Sequence, residues 1–449
     1  LYCTVAQSQA PYSGGSTTIF NTSVKAYSLP AKNLSYLKRQ EFFIGKSFFR
    51  NSWLIAPSST RARDGLGPLF NTNTCHSCHV NDGRGLPYVG DKPMNPMLVR
   101  LSVNSDSGGE DDPHLTRHGF ISEPSYGSQI QNRAIPGVPA EANVKLKWSE
   151  EKFDFPDGTS VLLRKPQIIL SKLAYGELHE NVALSARIAP AMIGLGLLEA
   201  IPESTLREIA DNQNRKDNGV SGKLNMVWDQ RLQKTVPGRF GWKAAMPSVE
   251  QQVASAFLSD LGITSRMFPE TVCTKKQAKC LSAPSGGNPE LADEFLDFIT
   301  SYSKTLAVPA RRNIWDKHVV LGEQYFRDAG CNQCHVETIK TGTDKNFPEL
   351  SLQEIHPYTD LLLHDMGEGL ADYARKFLAA GVEWRTPPLW GIGLLKTVNG
   401  HTDLLHDGRA RNIEEAILWH QGEAEASRDH YVDMPVEQRQ QLVKFINSL

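Results

Sequence analysis

Four of the seven cysteines stand in two copies of one pentad, Cys75-His76-Ser77-Cys78-His79 and Cys331-Asn332-Gln333-Cys334-His335. Cys-x-x-Cys-His is the attachment signature of c-type haem. The two thiols add across the porphyrin vinyl groups, and the adjacent imidazole gives a nitrogen to the iron. With 7 Cys and 13 His in 449 residues, roughly 0.003 such pentads arise by accident, so two copies are a statement about chemistry. A thioredoxin-type redox pair needs no trailing His, and a zinc ribbon sets its Cys pairs much closer together. The expected cofactors are two covalently attached haems, one on Cys75, Cys78 and His79, the other on Cys331, Cys334 and His335.

The other cysteines bear on the compartment. Bacteria attach haem covalently outside the cytoplasmic membrane, so an exported, periplasmic protein is expected. Cys273 and Cys280 lie seven apart in a Lys-rich segment, a spacing that suits a small disulfide loop in an oxidising space. Cys3 stays open between a lipidated thiol, a free thiol and part of a signal-peptide remnant ending near Ser8-Gln9-Ala10. No run of about twenty apolar residues is present to cross a membrane, so the expectation is a soluble protein or one tethered at its N-terminus. A net charge of −2 and a pI near 6.7 give no footing for nucleic acid.

The elements that must position these residues follow from hydrophobic spacing. Gly322 to Cys331 reads as a short amphipathic helix delivering Cys331 to its haem. Pro435 to Leu449 places Val436, Leu442, Val443, Phe445, Ile446 and Leu449 at helical spacing. A similar closing helix over Pro289–Tyr302 would end the first haem unit, which opens near Phe42–Phe49. The fold class expected is mainly α, with two cytochrome c-like domains, the first enlarged by loop and β-hairpin insertions. In residues, that is an N-terminal arm at 1–40, a first unit at 41–304, a linker at 305–312 and a second unit at 313–449. The insertions hold Gly/Asp/Ser-rich loops at 103–113 and 211–222. They also hold a hairpin, Val144–Phe155 and Ser160–Leu163, about a Pro156-Asp157-Gly158 turn. The 211–222 loop hints at calcium, but its ligand alternation is poor and Lys216 sits inside it, which favours an ordinary polar turn.

Over nearly the whole chain these residues resemble the bacterial di-haem oxidoreductases, also called di-haem peroxidases or thiol oxidoreductases. The blocks that carry the likeness are Gly67-Pro-Leu-Phe-Asn71, Gly238-Arg-Phe-Gly-Trp-Lys-Ala244, Arg385-Thr-Pro-Pro-Leu389, Leu405-His-Asp-Gly-Arg-Ala-Arg411 and Glu414-Glu-Ala-Ile-Leu-Trp-His420. More distantly the chain is similar to di-haem cytochrome c peroxidases and to the enzyme that matures the tryptophan-derived cofactor of methylamine dehydrogenase. At the offset where the peroxidases carry a ligand Met and the methylamine enzyme a Tyr, this chain has His420. The resemblance therefore implies a His335/His420 second haem, with a lower potential than a His/Met centre. Met366 competes for that place, and His406 is expected beside the second haem, near a propionate.

The resemblance also implies that Trp242 lies between the haems and Gln252 in the pocket of the first. The relatives carry a distal Glu that shuttles the peroxide proton; at that offset this chain has Gly262, and Asp260 and Glu199 are the substitutes to test. His179 is the candidate sixth ligand of the first haem, and Arg84 and Arg409 the candidate propionate partners. Two functions fit. One is a peroxidase-type oxidoreductase acting on hydrogen peroxide and fed by a small cytochrome c, a cupredoxin or a protein substrate. The other is a non-catalytic electron carrier or redox sensor with both irons six-coordinate. The thiol-oxidoreductase label finds no support of its own, because haem consumes the Cys-x-x-Cys pairs.

Overall fold

Ser35 starts the first long helix, α1 (Tyr36–Arg50): its hydroxyl accepts the Lys38 amide at 3.3 Å, and Phe42, Gly45 and Phe49 turn inward. The computed structural model describes residues 11–87, 97–104, 113–216 and 218–449. Strand β1 (Met97–Val103) follows, then β2 (Asn143–Asp154), β3 (Ser160–Ser171) and β4 (Val182–Ile188). β1 pairs antiparallel with β4, and β2 with β3, in register from Asn143↔Ser171 to Asp154↔Ser160. The second arm of the hairpin thus runs eight residues past the Leu163 end expected from sequence. Pro166 sits inside it opposite Trp148, tolerated because each strand of a two-stranded ribbon is an edge.

Among the other helices are α2 (Val249–Leu261), α3 (Asp293–Lys304), α4 (Lys317–Asp328), α5 (Ile413–Leu418) and α6 (Val436–Ser448). Helix α4 begins five residues before the Gly322 start expected from sequence, because Asp316 caps it by accepting the His318 amide at 2.8 Å. Helix α1 packs on α3, and α4 on α6. Each pair meets at a glycine. A Cβ at Gly45 would stand 2.0 Å from Phe298 O, and one at Gly322 would stand 2.0 Å from Gln441 O, so only Gly permits either approach.

The fold departs from a mainly α class. Helix makes up 33% and strand 19%, and the strands among the described residues lie in separate two-stranded sheets. The 305–312 segment, expected to link two units, is buried. Ile19 N donates to Val308 O, Ala310 N to Ile19 O, Ala307 N to Leu29 O and Ala31 N to Thr305 O, so the arm pairs with it on both sides. One core runs from Phe42 and Phe49 through Trp242 to Phe326 and Phe445. Cys273 and Cys280 are disulfide-bonded; Cys3 and most of the 103–113 loop lie outside the described residues. The stretch expected as a loop at 211–222 is helical over 211–215, the end of the helix Glu203–Arg215. From that helix Gln213 Nε2 donates to Gln333 O (2.7 Å), and beyond it Asn218 Nδ2 donates to Gln333 Oε1 (2.5 Å). Those side chains brace the second pentad and are not arranged as cation ligands; Asp217 lies outside the described residues.

Candidate functional site

Both pentads fold the same way. Cys75–Ser77 and Cys331–Gln333 each form one 3-10 turn, and the amides of His79 and His335 donate to Cys75 O and Cys331 O at 3.0 Å. Each His is thereby turned back beneath its own cysteines. Thr74 caps the first turn, and Gly330, at φ +80°, admits the left-handed entry to the second. Burial pushes the Cys75 and Cys331 thiols up to about 12, so they do not behave as the thiolates that disulfide exchange requires.

A cavity of about 1060 Å³ is lined by Cys75, Cys78 and His79 from one pentad and by Cys331, Cys334 and His335 from the other, with His420 on the same wall. The three histidines share one arrangement. Nδ1–H donates to a carbonyl in each: His79 to Pro190 O at 2.9 Å, His335 to Tyr358 O at 2.9 Å and His420 to Ala416 O at 2.7 Å. A carbonyl only accepts, so the proton is on Nδ1 and the Nε2 lone pair is left for a metal. Burial lowers all three below the ordinary histidine range, His335 to about 4, and keeps them neutral.

His364 is the opposite case. Nε2 faces Asp360 Oδ2 and Nδ1 faces Glu423 Oε2, both at 2.8 Å. Burial opposes the charge, but the two carboxylates hold the imidazolium well above the usual range. With no lone pair left, it does not make a metal site of the Cys334, Asp360 and His364 side chains clustered there. His406 lines the cavity with its ring stacked on Trp384 (centroids 3.8 Å, 10°) and its Nε2 3.3 Å from Asp407. Met366, the competing ligand, lines it too.

Helix α2 lies along the wall, presenting Gln252, Ser255, Ala256, Ser259 and Asp260. Gln252 makes no side-chain hydrogen bond among the described residues, and its Oε1 lies near Gly241, 3.7 Å from a Cβ placed there. Trp242 is fixed by Nε1–H donation to Ile188 O at 2.8 Å, with the Arg84 guanidinium 5.2 Å from its ring. The site thus brings Trp242, Gln252 and Asp260 to one cavity.

Three other expected residues stand away from the cavity wall. Glu199 does not line the cavity: it accepts Val249 N (2.6 Å) at the start of α2 and pairs with Lys304 (2.9 Å), the place where a helix dipole favours an anion. His179 is exposed and off the wall, its Nδ1 accepting Asn181 N. Arg409 is also off the wall, its guanidinium committed to Asp407 at 2.7 Å.

The charges on the wall fit the expected cofactor. Arg100, Arg187, Lys243 and Lys376 line it. Asp260 stands 3.9 Å from Arg100, while Asp372 serves Arg187 (3.0 Å) and Lys243 (3.1 Å). Burial and the nearby Arg100 and Arg187 push Lys376 well below its usual value, and it has no carboxylate partner among the described residues. An apolar cavity lined by basic side chains suits a large flat ring that carries acid groups, as a porphyrin does, and an acid group beside Lys376 would favour its charged form. Arg100 and Lys376 escaped sequence reading because no motif spacing ties them to either pentad.

A family model described as "Di-haem oxidoreductase, putative peroxidase" matches residues 7–449. No curated protein and no solved structure matches the chain.

Proposed function

Since the chain belongs to the di-haem oxidoreductase family, we propose that it is an exported enzyme of peroxidase type, built from two cytochrome c-like units that share one cavity. Cys75, Cys78 and His79 would hold the first haem and Cys331, Cys334, His335 and His420 the second. When bound, the haems supply the oxygen chemistry and the storage of electrons, and the chain supplies orientation, burial and hydrogen bonding. The observation that carries this reading is the common cavity, on which three neutral histidines with open Nε2 atoms stand together with Trp242 and Gln252.

The unengaged amide of Gln252 offers both a donor and an acceptor to a peroxide on the first-haem side. Trp242, held by Ile188 O, places an indole where electrons pass between the two halves. Electrons would arrive at the second unit from a small cytochrome c, a cupredoxin or a protein substrate. A second reading, an electron carrier or sensor with both irons six-coordinate, draws on the loss of the distal acid at Gly262. The exposure of His179 weighs against it, because the expected sixth ligand of the first haem is on the surface.

The test is stopped-flow absorption after mixing hydrogen peroxide with the diferric and the half-reduced protein. A fast change at one haem is expected, slowed about 10²-fold or more by Gln252→Ala, with the low-spin signature of His420 ligation intact. If neither redox state reacts faster than slow bleaching, the closed electron carrier is the better reading.

A further inference from the structure

We propose that Asp260 is the proton-exchange group of the first-haem side of the cavity, working through water ordered by Gln129 and Gln131. This rests on the peroxide reading above. In HO–OH + 2 e⁻ + 2 H⁺ → 2 H₂O, the O–O bond breaks, two molecules of a one-electron donor protein supply one electron each, and solvent supplies both net protons. Within that balance one proton must leave the oxygen that is retained and reach the oxygen that departs, which takes a group able to accept it and give it back.

Among the described residues, the carboxylates on the wall are Asp260, Glu270 and Glu423. Glu270 is exposed. Glu423 is committed to His364, to the Ser221 amide at 2.9 Å and to the Asp365 amide at 3.2 Å. Asp260 is held more loosely: Gln129 Nε2 donates to Oδ1 at 2.9 Å, and Arg100 from β1 stays 3.9 Å away. The other groups facing it are Cys75 and Cys78, which thioether formation removes as ionisable groups. Burial raises the Asp260 carboxyl above its ordinary range against Arg100 and Gln129, toward the pH at which a proton can be exchanged in both directions.

The two glutamines complete the site. The two hydrogens of Gln129 Nε2 are shared among Asn71 Oδ1 (2.6 Å), Asp260 Oδ1 (2.9 Å) and Ser259 O (3.0 Å), and Gln131 Nε2 donates to Ser259 O (2.7 Å). Those acceptors fix both amide orientations. Gln129 Oε1 and Gln131 Oε1 are left buried without a protein partner, on residues that line the cavity. A buried acceptor left unpaired is costly, and a polar, roomy cavity answers it with water. Eight residues of helix separate Gln252 from Asp260, about 12 Å along the axis. A proton therefore passes between Asp260 and a peroxide held by Gln252 over such water.

The experiment compares cyanide with imidazole binding to the ferric holoprotein across pH. Hydrogen cyanide must shed its proton to bind iron, whereas neutral imidazole need not. In Asp260→Asn, cyanide association should fall about tenfold or more and keep only the rise with pH that follows cyanide's own ionisation, with imidazole association and the unfolding midpoint unchanged. Asp260→Glu should recover part of the rate. Gln131→Leu, which leaves the carboxylate in place, should slow cyanide by a smaller factor. Unchanged cyanide kinetics in folded Asp260→Asn, or in Gln131→Leu should the first variant not fold, overturns the proposal. A wild-type protein that binds cyanide with the Asp260-dependent profile yet leaves peroxide intact overturns the peroxide reading and keeps the proton assignment. One that binds neither ligand overturns both.

Discussion

A Cβ built on Gly262 would lie 2.5 Å from Leu69 O and 2.9 Å from Gly67 Cα, at a backbone φ of +69°. Gly262 ends α2 in the left-handed conformation, its amide donating to Leu258 O, and the 67–69 backbone fills the space where a side chain would go. An acidic side chain therefore cannot simply be placed at this offset. Gly262→Glu is expected to destabilise the fold by about 3 kcal/mol, through left-handed strain and overpacking together. The unfolding midpoint should drop, with no gain in peroxide consumption. A stable Gly262→Glu protein that consumes peroxide faster would place the missing acid at 262 and count against Asp260. At this scale the two pentads stood out because their residue types follow one another in fixed order, and His420, expected from its offset, stands on the cavity wall with them. The support of Asp260 was not legible: Gln129 is 131 residues away in sequence, and only the packing of α2 against the 129–131 segment brings them together. Glu199 shows the reverse failure. A carboxylate in a plausible stretch turned out to serve a helix N-terminus.

At the scale of elements, the β2–β3 hairpin braces the second half of the chain. Arg164 on β3 donates from Nε to Arg409 O (3.0 Å) and from Nη2 to Gly408 O (2.6 Å), pairs with Asp403, and lies 4.4 Å from the Trp148 ring. These bonds grip the 403–409 turn that presents His406 to the cavity. Arg164→Ala removes donors from two carbonyls and leaves Asp403 without its Arg164 partner in a half-buried setting. A loss of about 2–3 kcal/mol is expected, below the full cost of breaking a deeply buried pair because both partners keep some solvent. Hydrogen exchange should quicken at Leu404 and Ala410, whose mutual bridge closes that turn. Arg164→Lys should recover less than half, since an ammonium cannot reproduce the two-sided fork. Exchange unchanged in both variants would show that the hairpin merely rests on the turn. The Pro-Asp-Gly turn made the hairpin visible in sequence, while Pro166 hid the length of its second arm. Its purpose was hidden too, because Arg164 and Asp403 stand 239 residues apart.

Across the whole molecule, the 305–312 segment looked like a linker because a short stretch of small residues and a proline follows a closing helix. What the sequence could not show is that its partners come from the start of the chain. Ile19 bridges Pro309 in parallel and Pro30 bridges Leu306 antiparallel, and these pairings bury the segment between the arm and the core. One hydrophobic core and one cavity then span both halves. Two units joined by a solvated linker would unfold separately and be cut between helices α3 and α4; two units sharing a core and a cavity cannot. The holoprotein is therefore expected to melt in a single calorimetric transition and to resist limited proteolysis at 305–312. On the proposed attachment, a Cys331→Ser/Cys334→Ser variant would not hold the second haem and should lose its filling on one side of the shared cavity. Exchange protection should then fall around Trp242 and along α2 as well as in α4 and α6. If that variant keeps full protection in α2, or the wild-type protein melts in two steps with a cut at 305–312, the halves are energetically independent. Electron passage between them would then have to rely on a geometry that the fold does not enforce.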